Sequence, residues 1–196
     1  MAGIKLQKAV KINLGKEFDN LERIRFELKW EADAKKLRDA NARPNFDADA
    51  QAFICDENTK LLNESYFVFY NPPNDSCPEK AVVYGGDARK GGVETIKIDL
   101  EKVTHRAREI ALVVTIYESI EKNLHFGNLK SGGISLYNEE TGEKMASFQF
   151  GTGEYTNESL IHMASLYKGE NGWEFEAFGR GTAGADLAYA LEMFTK

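Results

Sequence analysis

Apolar and polar positions alternate with a period of two along most of this chain. Val10, Ile12 and Leu14 alternate with polar residues, and Ile24, Phe26, Leu28 and Trp30 alternate with Arg25, Glu27 and Lys29. Tyr66 to Tyr70 reads as a strand covered on both faces, and Ile96, Ile98 and Leu100 alternate again. Ile110 to Tyr117 is a continuous apolar run rich in β-branched residues, which predicts a central strand. Ile134 to Tyr137 and Met145 to Phe150 flank the turn Asn138-Glu139-Glu140-Thr141-Gly142. Leu160 to Tyr167 and Trp173 to Phe178 flank Lys168 to Gly172, where Asn-Gly supplies the positive φ of a tight hairpin. The fold class this predicts is all-β, a two-sheet β-sandwich with a short C-terminal helix over Ala183 to Phe194. The charged stretch from Glu31 to Pro44 is read as a helical turn or a loose insertion. Trp30 and Trp173, each at one end of an alternating series, are expected to be buried.

Composition narrows the class. The 196 residues suit a single domain, 1–196, large enough for a substantial core. A net charge of −6 argues against a nucleic-acid binder, and 11% aromatic residues with only 4 prolines argue against disorder. No apolar run is long enough for a transmembrane helix or a signal peptide, which predicts a cytoplasmic protein. Cys55 and Cys77 lack metal-ligand spacing and are read as reduced thiols, with a disulfide between them as the alternative.

The candidate chemistry lies in Asn45-Phe46-Asp47-Ala48-Asp49-Ala50. Oxygen-bearing side chains at every second position fall on one side of an extended backbone, where a hard cation collects them. Plain turn capping is the competing reading. An EF-hand is rejected, because the sixth position is Ala50 rather than glycine, the twelfth is Asp56 rather than glutamate, and the flanks read as strands. Gly179-Arg180-Gly181-Thr182-Ala183-Gly184 fits a GxGxxG pattern, but the sequence ends at Lys196 before a second parallel strand, so the glycines are read as easing a strand-to-helix turn. His105, His125 and His162 have no paired spacing and are read as surface or packing residues. No Gly-x-Ser-x-Gly elbow exists and Cys55 lies within a predicted strand, so catalysis has no carrier and the chain is read as a non-enzyme.

Several segments, in order, resemble the TerD-domain family of tellurite-resistance and chemical-stress proteins. These are Leu28-Lys29-Trp30, Asn45 to Phe53, Phe67 to Asn71, Gly86-Asp87, Glu94 to Leu100, Val113 to Glu118, Phe126-Gly127 and Gly172 to Gly181. The resemblance implies a calcium-binding, non-catalytic sandwich acting in a multiprotein resistance complex. Its implied partners are other tellurite-resistance proteins and a membrane protein, the latter placing the chain peripherally at the inner face of the membrane. The implied ligands are Asp47, Asp49, Asp87 and Glu94, with Asn45 and Glu118 as weaker candidates and the carbonyls of Gly91 and Gly92 filling the shell. The chain departs from the family pattern at Asn45, at Glu118, and in a short loop where Arg89 and Lys90 are basic. Fewer charged oxygens mean weaker calcium binding. A calcium-independent scaffold is therefore the alternative function.

Overall fold

The computed structural model describes residues 4–5, 10–18, 20–39, 46–86, 93–151 and 153–196, and among them places two six-stranded sheets face to face. The first sheet has the order β1 (Ile4–Lys5), β10 (Lys144–Gly151), β9 (Leu129–Asn138), β3 (Arg23–Ala32), β7 (Val93–Asp99), β6 (Val82–Tyr84). The second has the order β2 (Val10–Asn13), β12 (Gly172–Ala183), β11 (Glu158–Gly169), β8 (Glu109–Ile116), β4 (Ala48–Cys55), β5 (Phe67–Val68). Among the described strands only β1 and β10 run parallel; the other neighbours are antiparallel. The sheets do not close into a barrel.

The alternation sets the layers. Ile24, Phe26, Leu28 and Trp30 of β3 and Ile96 and Ile98 of β7 point into the space between the sheets. From the second sheet Ala48, Ala50, Ala52 and Ile54, then Ile110, Leu112 and Val114, meet them. β4 and β8 are buried along their whole length because the outer face of their sheet is also covered. Helix α4 (Leu187–Thr195) lies there, packing Ala190 and Phe194 on Phe53, Ala111, Val113 and Leu160. Both tryptophans are buried, and Cys55 and Cys77 are buried and unpaired. Among the described residues no helix is long and apolar enough to cross a membrane.

Four expectations need correction. The strand read over Tyr66 to Tyr70 is only Phe67–Val68, preceded by a 3-10 turn over Glu64–Tyr66. The Asn63 side chain accepts from Ser65 N, and Phe69 N donates to Asn74 O, so the backbone bonds of this segment go to loops instead of a ladder. Leu14 opens the short helix α1 (Leu14–Glu17), capped by Asn13, instead of extending β2. The terminal helix begins at Leu187, because β12 continues to Ala183 and the Asp186 carboxylate then caps Tyr189 N at 2.9 Å. Of the GxGxxG glycines only Gly184, at φ +63°, serves the strand-to-helix turn. Gly179 lies within β12, where a side chain would meet Phe148 at 2.6 Å. The stretch from Glu31 resolves into α2 (Ala34–Asp39), and residues 40–45 lie outside the described residues.

Candidate metal centre

β4 enters its sheet where the ladder is one-sided. On one flank it pairs with β8 from Ala48↔Ile116 onward, and Tyr117 N extends the pairing to Asp47 O at 2.9 Å. On the other flank β5 reaches only Ala52 and Phe53. The β4 edge from Asp47 to Gln51 therefore has no strand beside it among the described residues. Asp47 and Asp49, two apart, share one side of this edge.

Glu94 comes from the opposite sheet. It is the second residue of β7, on the inward face that continues with Ile96 and Ile98, and it is fully buried. The fully buried alanines at 48, 50 and 52 keep the facing side of β4 shallow, so the longer glutamate reaches across. Its Oε2 accepts from Ala50 N at 2.8 Å, supplying the bond that a neighbouring strand would have made.

One carboxylate oxygen from each of Asp47, Asp49 and Glu94 lies within 4.8 Å of the others. Asp49 is buried and Asp47 half-buried. At a separation of 4.8 Å, two unit charges repel by roughly 3–4 kcal/mol at an effective dielectric of about 20. A divalent cation among them reverses the sign of that interaction. Calcium bonds oxygen at about 2.3–2.6 Å, so two ligands facing across it stand up to about 5 Å apart, and this spacing fits. An all-oxygen, carboxylate-rich set suits a hard cation over zinc or copper.

The other sequence-based ligands divide into two groups. Asn45, Asp87, Gly91 and Gly92 lie outside the described residues. Glu118 is not part of the trio. It takes a left-handed backbone at φ +50° ahead of helix α3 (Ser119–Lys122), and its carboxylate lies 3.0 Å from Lys122 Nζ. It lines a groove that Asp49 lines as well.

A second buried acid escaped the sequence reading. Glu109 opens β8 on the outer face of its sheet and accepts from Ser165 Oγ at 2.6 Å. Ser165 Oγ lies 2.9 Å from His162 Nε2. Its one proton goes to Glu109, so the oxygen accepts from Nε2–H, which sets the imidazole tautomer. Burial, followed by the charge of Arg180, pushes the His162 pKa down to about 4. Burial and then Glu109 push the Tyr167 phenol up to about 12. A break in register between His162 and Ala164 places His162 and Ser165, three apart, on one face of β11. Regular alternation would have separated them. Burial also raises the pKa of both cysteine thiols, Cys55 most strongly, and keeps them from acting as thiolates.

Comparison with known proteins agrees with this architecture. The family model for the TerD domain matches residues 1–194. The protein YceE of Bacillus subtilis is 30% identical over 92% of both chains. The tellurium resistance protein TerD of Serratia marcescens is 29% identical over the same shares. General stress protein 16U of Bacillus subtilis is 28% identical, again over 92% of each. A crystal structure of a homologue of the telluride resistance protein TerD from Streptomyces coelicolor superposes with a TM-score of 0.69 at 18% identity, covering 90% of this chain and 99% of that one. With a family match across nearly its full length, and the same fold in a solved homologue, the chain belongs to the TerD domain family.

Proposed function

We propose that the protein is a calcium-binding, non-catalytic module of a stress- or tellurium-resistance system, working within a protein complex. The observation that carries this reading is the meeting of Asp47, Asp49 and the fully buried Glu94 at a strand edge that no other strand flanks among the described residues. The resistance role rests on relatives named for tellurium resistance and general stress. Calcium takes 6–8 oxygens, so the trio supplies part of a shell that backbone carbonyls and water complete. Asp87 and the carbonyls of Gly91 and Gly92, close to Glu94 in the chain, are the proposed further ligands. The inert thiols fit a module whose output is binding. Other resistance proteins and a membrane protein are the proposed partners.

A calcium-independent scaffold is the second reading. It draws support from the bond between Ala50 N and Glu94, which already satisfies part of the buried carboxylate. Calorimetry separates the two. Chelator-treated protein should release or absorb heat with calcium, and the Asp49→Asn/Glu94→Gln variant should not. Flat titrations of the parent protein would leave the scaffold as the function.

A further inference from the structure

Helix α4 carries apolar residues on a face that the fold leaves to solvent. Between Leu187 and Thr195 its only charged residue is Glu192. Ala190 and Phe194 are buried, and Leu187 and Leu191 pack partly against the second sheet, which accounts for one side. On the other side Tyr189 is 47% and Met193 38% exposed, where an amphipathic surface helix carries polar residues. Ile120 of α3 is 58% exposed, and its neighbour Glu121 lines the same groove as Asp186 and Leu187, so the apolar area continues beside the start of α4. The helix is also fixed at both ends. Ser159 Oγ donates to Ala185 O at 2.6 Å and accepts from Ala185 N at 2.9 Å, and Leu61 N donates to Phe194 O at 2.8 Å.

The order of residues along this face bears on the occupant. Asp186, Tyr189, Met193 and Lys196 follow one another at spacings of 3, 4 and 3, the seam spacing of a coiled coil. The stripe reads acid, aromatic, thioether, base. Turned end for end about a twofold axis it matches itself in one register. Asp186 then meets Lys196 of a second copy, and Tyr189 meets Met193 of that copy, a favourable sulfur–aromatic pair. A parallel pair would set Asp186 on Asp186 and Lys196 on Lys196. The Asp186 Oδ1 atom caps Tyr189 N, and a carboxylate keeps further lone pairs for a lysine. Lys196 reaches Glu192 of its own helix at 2.6 Å, an exposed i,i+4 pair that contributes little and exchanges readily.

We propose that the outer face of α4 is a self-association surface that pairs antiparallel with α4 of a second copy of this chain. Apolar side chains in the middle and opposite charges at the two ends make the stripe complementary to itself. A nine-residue helix spans about 14 Å, so the contact buries less than the roughly 1,200 Å² of a stable complex, even with Ile120 at its margin. The dimer is therefore weak, with a Kd of about 0.1 mM. The inference does not depend on the calcium reading, because none of its residues belongs to the carboxylate trio.

Sedimentation equilibrium in chelator, from about 10 µM to about 1 mM protein, tests it. The expected result is a reversible passage from monomer to dimer across that range, weaker in high salt. Tyr189→Ser/Met193→Ser changes two exposed positions and should weaken association at least tenfold with Tm unchanged. Lys196→Asp should weaken it about tenfold, and adding Asp186→Lys to the same chain should restore it, since only an antiparallel pair then brings opposite charges together. Asp186→Lys also removes the helix cap, so amide spectra check the fold of that variant, and the serine pair decides the matter if the helix frays. A monomer at every concentration, or a dimer that the serine pair leaves unchanged, would overturn the proposal. Loss of binding by Lys196→Asp without recovery in a folded double variant would overturn the antiparallel register. A monomer that floats with phosphatidylcholine–phosphatidylglycerol vesicles through Tyr189 and Met193 would assign the face to a membrane and overturn the second copy as its occupant.

Discussion

Glu94 and Glu109 are the same residue on consecutive strands, 0% and 3% exposed, and their surroundings are opposite. Glu109 sits among hydroxyl groups. Ser165 donates to it at 2.6 Å, the Tyr167 phenol lies beside it, and His162 holds Ser165 in place. Glu94 accepts from Ala50 N and shares its corner with the carboxylates of Asp47 and Asp49. Burial alone therefore does not make a cation site. The Glu109 carboxylate is met by hydroxyl donors, whereas the Glu94 cluster brings three carboxylates together, an arrangement that favours a cation among them.

The largest expected effect falls on the Glu109 cluster. Glu109→Ala strips the buried Ser165 hydroxyl of its acceptor and leaves a cavity beside it, and should cost about 2–4 kcal/mol. At this chain length that lowers Tm by roughly 10 °C, with calcium or without it. Glu94→Ala in chelator should cost much less, because it also relieves repulsion. Equal losses for the two variants in chelator, measured by thermal denaturation, would break the comparison.

Calcium addition is next in size. At a hundredfold excess over Kd, a ligand specific to the fold stabilises it by about 2.7 kcal/mol. The parent protein and Glu109→Ala should both gain this increment, and Asp49→Asn or Glu94→Gln should lose it. Hydrogen exchange should show the protection concentrated around residues 46–50 and 93–95. Protection spread evenly over both sheets would argue against a local site.

The third effect is a pH dependence of the Glu109 cluster. Burial holds the His162 pKa at about 4, while the unfolded chain protonates near the ordinary value of 6.5. Above pH 6.5 the imidazole is neutral in both states and contributes no slope. Between pH 6.5 and 4 the unfolded chain takes up a proton that the fold refuses, so stability falls as pH falls, by on the order of 2 kcal/mol by pH 4.5. His162→Gln keeps a donor for Ser165 and should flatten this part of the curve in chelator. A variant curve parallel to the parent's would remove His162 as the cause.

The smallest effect belongs to a third acid. Glu139 lies on the outer face of the first sheet between Arg25 and Lys97, where solvent screens it. Its cationic partners hold its carboxyl below the usual range against a partial burial cost. Glu139→Gln should cost under about 1 kcal/mol, and the cost should shrink further in high salt. A larger loss would mean that ionic partners matter more here than burial does.

Much of this molecule is written in local pattern. The period of two laid out β3 and β7, because a strand with one buried face must alternate, while an unbroken apolar run marked β8 and the Asn-Gly turn marked the β11–β12 hairpin. Asp47 and Asp49 were legible as a pair for the same reason. Where local rules compete, pattern misled. Tyr66 to Tyr70 has the composition of a strand, yet Asn63 and Asn74 take its hydrogen bonds. Glu94 could be named from family resemblance, but its reach across the sandwich to Ala50 could not.

The sequence by itself determined the all-β class, the buried tryptophans, the paired aspartates and the family, since each depends on residue type at short spacing. The tertiary structure alone decided which acids meet. It joined Glu94 to a strand 44 positions away, left Glu118 to Lys122 and the groove, and used a shift in register to set His162 beside Ser165. The physical reason is that side-chain direction is local and repetitive, whereas proximity between layers depends on sheet order and on how far each strand runs beside its neighbour.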